Sequence, residues 1–115
     1  MIDFACKEFS LDEVVKCGLG LTKADFRILK FLIENEDDWF TTENISKKTR
    51  FNLSTVQKTM KRLAEKDVVE RKQNNIDGGG YFFIYKLRDK TYVRKVIMKT
   101  IKNWTRRVEK ELDIL

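Results

Sequence analysis

A chain of 115 residues with 42% hydrophobic and 11% aromatic side chains is long enough for one core, too short for two ordinary domains and too apolar to be disordered throughout. It has no histidine and only two cysteines, Cys6 and Cys17, which excludes the usual general base and the tetrahedral ligand set of zinc; no catalytic residue, metal site or cofactor is expected, and both cysteines read as reduced thiols. The net charge of +6 is unevenly placed: residues 1–40 carry 5 basic and 9 acidic side chains, residues 41–72 carry 9 and 4, and residues 73–115 carry 10 and 5, so a positive field begins mid-chain, as attraction to phosphate requires.

Ser10 to Cys17 reads as a short helix: Ser10 caps it, Glu13 stands three residues on, and Leu11, Val14 and Val15 are apolar. Gly18 and Gly20 break it. Thr22 opens a second helix with Asp25 at the capping-box position, and Phe26, Leu29, Leu32 and Ile33 recur at helical steps along one inward stripe. The acidic run Glu34-Asn35-Glu36-Asp37-Asp38 ends it as a solvated loop, leaving Trp39 and Phe40 for a short edge strand. Thr41 caps a third helix, Thr42 to about Thr49, with Ile45 inward and Lys47 and Lys48 outward. Arg50-Phe51-Asn52-Leu53 then forms a turn, and Ser54 with Gln57 makes an S-x-x-Q capping box for a fourth helix. On that helix Val56, Met60, Leu63 and Ala64 share one face, Ser54, Lys58, Lys61 and Glu65 lie opposite, and Gln57 and Arg62 flank them. Two helices joined by so short a turn predict a helix-turn-helix.

Val68 to Gln73 and Tyr81 to Leu87 are rich in β-branched and aromatic residues and enclose the turn cluster Asn74 to Gly80, which predicts a hairpin with a flexible, largely polar tip. Alternation places Tyr81, Phe83, Tyr85 and Leu87 on one face, expected to be buried. The three glycines are followed by neither Lys-Ser/Thr nor a helix, so they do not form a nucleotide loop. From Lys90 to Leu115 there is neither glycine nor proline, and one long helix is expected. Val93, Ile97, Ile101, Trp104, Val108 and Leu112 form its apolar stripe, close to coiled-coil spacing, with Arg94, Lys95, Lys99, Lys102, Arg106, Arg107 and Lys110 outside it. Glu111 interrupts a strict heptad, which argues against an extended zipper. Such a stripe packs on a second copy, folds back on its own domain, or lies on an acidic membrane surface; the first is favoured.

The expectation is therefore an α+β, mostly helical fold: a winged helix-turn-helix over residues 1–88, with a C-terminal dimerisation helix over 89–115. Its expected role is sequence-specific binding of double-stranded DNA as a homodimer that regulates transcription, most simply by repression. Gln57, Lys58, Lys61 and Arg62 are the candidates for base readout, Ser54 and Thr55 for phosphate at the helix start, and Arg71, Lys72 and Asn75 for contact from the wing. No small-molecule ligand is evident. No apolar run approaches the ~18 residues of a membrane span and Met1 to Ala5 lacks the parts of a secretion signal, so a soluble, cytoplasmic protein is expected. The alternatives are a winged-helix module that binds proteins within a multiprotein complex, and an RNA binder.

Cys17-Gly18-Leu19-Gly20-Leu21-Thr22-Lys23, the Ser54-Thr55-Val56-Gln57 box, Val69-Glu70-Arg71, and Gly78-Gly79-Gly80-Tyr81 with Tyr85 together resemble small archaeal regulators. They are similar to the winged-helix domains of the sugar-sensing TrmB group and, more distantly, of the MarR group, over about residues 10–112. The resemblance implies a dimer on a pseudo-palindromic operator, with Ser54 to Arg62 on the recognition helix and Asn74 to Gly80 at the wing tip. Full-length sugar-sensing members carry a large C-terminal ligand domain, whereas this sequence ends after one helix. The resemblance therefore leaves any signal to Cys6 and Cys17, to a partner protein, or to abundance.

Overall fold

In a computed structural model describing residues 1–115, the chain runs β1 (Ile2–Phe4), β2 (Lys7–Phe9), α1 (Leu11–Leu19), α2 (Lys23–Glu34), α3 (Thr42–Thr49), α4 (Leu53–Glu65), β3 (Val69–Asn75), β4 (Tyr81–Leu87) and α5 (Lys90–Ile114). The pair β1–β2 is a small antiparallel hairpin with Ile2 opposite Phe9. It has no counterpart in the sequence expectations, because its three-residue strands stay almost wholly exposed and carry no buried stripe.

Each helix start has a local cause. Ser10 Oγ accepts from the Glu13 N–H and opens α1. Gly18 stays inside that helix, and the chain leaves it at Gly20, whose left-handed backbone (φ 65°) lets the Leu21 N–H reach the Lys16 carbonyl. The break thus belongs to Gly20 alone. Thr22 and Asp25 form a reciprocal capping box at 3.1 Å in both directions, and Thr41 and Asn44 form another at α3. The start of α4 corrects the sequence reading. Its cap is Asn52, whose Oδ1 accepts from the Thr55 N–H at 2.9 Å and from the Ser54 hydroxyl at 2.8 Å. Asparagine caps as well as serine does, so the helix begins two residues early and the Ser54–Gln57 box does not form.

The core lies where α2, α3 and α4 meet the base of the β3–β4 hairpin. Ile28, Leu29 and Leu32 from α2, Ile45 from α3, and Val56, Met60 and Leu63 from α4 are buried together with Val68 and Leu87. Each such side chain contributes roughly 1.5–3 kcal/mol by leaving water. On α2 the buried stripe runs through Ile28, while Phe26 and Ile33 sit at its edges.

The wing strands pair in register from Val69 opposite Leu87 to Asn75 opposite Tyr81. Phe40 adds a single antiparallel bridge to Tyr85, with two N–H to carbonyl bonds of 2.8 Å, in place of an independent strand. The aromatic face of β4 is buried only at its base. Leu87 and Tyr85 join the core, Phe83 is half-buried, and Tyr81 is 58% exposed because the hairpin has by then left the helices behind. At the tip, Gly78, Gly79 and Gly80 all take positive φ (90°, 118° and 88°), which residues with a Cβ rarely adopt. The tip is also less polar than the sequence suggested, since Ile76, Tyr81 and Phe82 are exposed around it.

Asp67, itself left-handed (φ 65°), ends α4 and ties that end to the start of α5. Its carboxylate pairs with Arg88 at 2.9 Å and accepts the hydroxyl hydrogen of Tyr92, which raises the Tyr92 phenol above its ordinary value. Asp89 then caps α5 through the Thr91 N–H.

At ~1.5 Å per residue the 25-residue α5 is ~37 Å long. It accounts for the 63 Å long axis of the molecule and for a radius of gyration of 17.0 Å, against about 13 Å for a compact chain of this length. Its apolar stripe divides in two. Val93 is only 7% exposed and belongs to this chain's own core, which removes it from the expected dimer interface. Ile97 and Ile101 are half-buried, with Ile97 packed at the edge of that core, whereas Trp104, Val108 and Leu112 stand in solvent. On another side, Lys95, Lys99, Lys102, Arg106 and Lys110 follow at three- and four-residue steps. Such like-charge neighbours cost a helix about 0.2–0.5 kcal/mol each.

Candidate nucleic-acid interface

Helix α4 is seated by its apolar face and also by a charged contact from below. Asp25 on α2 is fully buried. It accepts the Thr59 hydroxyl at 2.6 Å, Arg62 Nη1 at 3.0 and 3.1 Å through its two oxygens, and the Thr22 N–H at 3.1 Å. Burial by itself would raise the pKa of this carboxyl. The bonds from Thr59, from Thr22 and from Arg62 together outweigh it and hold the group below the usual carboxylate range. Asp25 is thus an anion anchoring two residues of α4, 34 and 37 positions away in sequence.

The outward face of α4 carries Gln57, Lys58 and Lys61, all exposed, and neither lysine has an acidic partner. These three form one continuous surface with Ser54. Thr55 is half-buried and its N–H is taken by Asn52, while the Ser54 hydroxyl is turned to the same cap. Arg62 stands apart from the group. It remains 46% exposed at the side chain, yet its Nη1 is held by Asp25, so its first task is to fix the helix.

The three wing candidates divide as well. The register puts Arg71 and Asn75 on one face of the hairpin and Lys72 on the other. The Arg71 guanidinium lies 4.4 Å from the centre of the Phe83 ring, and Asn75 Oδ1 accepts from Gln73 Nε2 at 3.3 Å. Lys72 stands opposite Ile84 on the second face. Of the nine candidates, the structure groups Ser54, Gln57, Lys58 and Lys61, sets Arg71 with Asn75, and leaves Lys72 by itself.

Sequence reasoning missed the Asp25–Thr59–Arg62 network, although one signal for it existed. Thr59 falls on the apolar face between Val56, Met60 and Leu63, and a polar group at a core position needs a partner. Chemically, the outward face offers two unpaired cations and an amide beside them, on a helix narrow enough for the major groove. That set suits phosphates and base edges. No group of three or more histidine, cysteine, aspartate or glutamate side chains is gathered to hold a metal ion, and no helix is long and apolar enough to cross a membrane.

A helical pair with its second helix exposed, followed by a two-stranded wing to which Phe40 adds one bridge, is a winged helix-turn-helix. The model of the DnaD N-terminal domain family matches residues 8–108, and the chain belongs to that family. Its fold closely matches a solved structure of a possible transcriptional regulator from Methanosarcina mazei Go1, at 45% identity over 98% of this chain and 94% of that one, with a TM-score of 0.91. The Methanocaldococcus jannaschii protein MJ1503 is 26% identical over 110 residues, 96% of this chain and 82% of its own length. The fold is also similar to that of a Staphylococcus aureus MepR variant solved bound to an oligodeoxyribonucleotide: TM-score 0.56, 15% identity, 90% of this chain and 72% of that one. The likeness to MarR-type winged helices anticipated from the sequence thus holds at the level of fold, and the family assigned is that of the DnaD N-terminal domain.

Proposed function

We propose that this protein is a cytoplasmic, non-enzymatic DNA-binding regulator of transcription that acts as a homodimer and represses by occupying promoter DNA. The observation carrying this reading is the outward face of α4, where Gln57, Lys58 and Lys61 stand exposed and unpaired on a helix locked from beneath by Asp25. The likeness to a possible transcriptional regulator from Methanosarcina mazei and the oligodeoxyribonucleotide-bound state of the MepR neighbour support it. Ser54, Gln57, Lys58 and Lys61 enter the major groove, with Arg71 and Asn75 meeting the duplex from the wing and Lys72 the phosphates beside it. Arg62 serves mainly to position the helix. The Val69-Glu70-Arg71 segment and the glycine turn that resemble the TrmB group fit the same reading, with residues 1–88 as the DNA-binding unit and 89–115 as the pairing helix.

The test is fluorescence-anisotropy titration of the full chain against duplex DNA, the matching single strand and a duplex RNA. B-form duplex is expected to bind most tightly, with affinity falling steeply with salt. Equal or tighter binding of either other substrate, or no binding at low salt, rejects the proposal.

The second copy meets the distal half of α5, where Trp104 is 60% exposed beside Val108 and Leu112. Sedimentation equilibrium is expected to give twice the 13.7 kDa chain mass for the wild type, and the single-chain mass for Trp104→Ala/Leu112→Ala. Truncating a central tryptophan typically costs an interface about 2 kcal/mol or more, enough to disperse a small one. Circular dichroism of the variant should keep its helical signal, since neither side chain belongs to the chain's own core.

A further inference from the structure

We propose that Lys95, Lys99, Lys102, Arg106 and Lys110 form a second, sequence-independent surface for nucleic-acid duplex, so that one protein holds a further duplex segment along α5. This goes beyond the reading of α4 and stands on different residues.

All five side chains are exposed, and none lies within ion-pair distance of a carboxylate. Steps of three and four residues stack them on one side of the helix over roughly 22 Å. A solvated helix face ordinarily mixes the two charges and gains from opposite pairs at these steps. Here every step within the row brings like charges together, and the acidic residues of the same helix, Glu109, Glu111 and Asp113, lie only at its far end. Glu109 and Asp113 stand three residues beyond Arg106 and Lys110, but Lys95, Lys99 and Lys102 have no acidic residue at any of these steps. A linear polyanion relieves the repulsion, and a duplex presents phosphates at ~3.4 Å per strand along just such a line, releasing counterions as each cation is neutralised.

The placement of the apolar stripe argues against an anionic membrane as the occupant. At ~100° per residue the cationic row and the Ile97–Trp104–Val108 stripe lie on roughly opposite sides of α5. A helix resting on lipid through its apolar side would point these cations away from the headgroups, and one resting on its cations would leave the tryptophan in water. The same arrangement leaves the row free when the stripe pairs with a second copy. Because α5 leaves the core after Ile101, the row begins beside the body at Lys95 and Lys99 and projects beyond it at Lys102, Arg106 and Lys110.

The experiment is a sandwich capture at low salt. A 30-base-pair duplex on beads holds the full-length protein, and the protein then captures a fluorescent duplex of unrelated sequence. Wild type is compared with Lys95→Gln/Lys99→Gln/Lys102→Gln/Arg106→Gln and with Lys58→Ala/Lys61→Ala, each checked for helix content. The glutamine variant is expected to keep the first duplex yet capture at least about fivefold less of the second, and its overall salt slope should fall by about 3. The α4 variant is expected to retain weak, salt-sensitive binding through α5. Capture by the glutamine variant equal to wild type, no capture by wild type, or complete loss of binding in the α4 variant overturns the α5 surface. So does preferential binding of the row to phosphatidylserine vesicles in a parallel sedimentation. If the α4 variant behaves as wild type while the glutamine variant loses all binding, the α5 surface stands and the α4 reading fails.

Discussion

Alanine at both Lys58 and Lys61 is expected to weaken binding to a short duplex at physiological salt by about 30-fold or more, at roughly 1–3 kcal/mol for each lost base contact. If either lysine meets phosphate instead, the salt slope falls by about 1 for each contact removed. The fold should not respond. Both side chains are exposed and unpaired, and alanine is the stronger helix former, so the melting temperature is expected to hold within about 2 °C. Anisotropy titration across a salt series, with a thermal melt of the same samples, reads both quantities. Unchanged affinity with an unchanged melt would mean that this face of α4 is only solvated. Gln57→Ala should lower affinity less and shift preference among sequences more, because an amide contributes readout without charge.

The second large effect falls on stability. Asp25→Ala removes the half of the α2 capping box in which the carboxylate accepts the Thr22 N–H, and leaves the Thr59 hydroxyl without a partner in the core. The lost bond contributes about 1 kcal/mol, and an unsatisfied buried hydroxyl costs about 1–3 kcal/mol. Arg62 adds little to the total, because its half-exposed guanidinium is rehydrated once released. A loss of about 3 kcal/mol corresponds to a fall in melting temperature on the order of 10–20 °C for a chain of this size. The released Arg62 and the loosened α4 should also weaken duplex binding, although Asp25 itself is fully buried.

Acid tests the same group in the wild type. The pKa of the Asp25 carboxyl is lowered in the folded state from its ordinary value of 3.8. The contribution of this group is therefore fully present above the unfolded value and is lost as pH falls through the lower folded one. Melting temperatures measured from neutrality downward should stay flat until about pH 4 and then decline. In Asp25→Asn the part of that decline due to this group should be missing. A variant curve parallel to wild type would show that Asp25 is not anionic in the fold.

The parts of this molecule that were legible in the sequence are those governed by local periodicity. The helix over Lys90–Ile114, the inward stripe Val56–Met60–Leu63 and the hairpin around three glycines each follow from patterns within a few residues. The start of α4 was displaced by two positions because Asn52 and Ser54 are equally good caps, and only the geometry of the turn after α3 chooses between them. The burial of Tyr85 and exposure of Tyr81 depend on how far the hairpin extends past the helices, which alternation along one strand cannot convey. Spacing alone groups Val93 with Trp104, yet α5 leaves the core between them. The Asp25–Thr59–Arg62 network joins residues more than thirty positions apart, and so belongs to tertiary structure. It also changed the standing of Arg62, which reads from sequence as a contact for DNA and is found bonded to its own chain.

The most direct test of the central claim is to follow the backbone amide signals of the isotope-labelled chain by NMR as duplex DNA is added. The largest shifts are expected on Ser54 to Arg62 and around Arg71 and Asn75, with the amides of α2 beneath them nearly still. Signals on α4 that stay in place while the duplex binds elsewhere would contradict the claim.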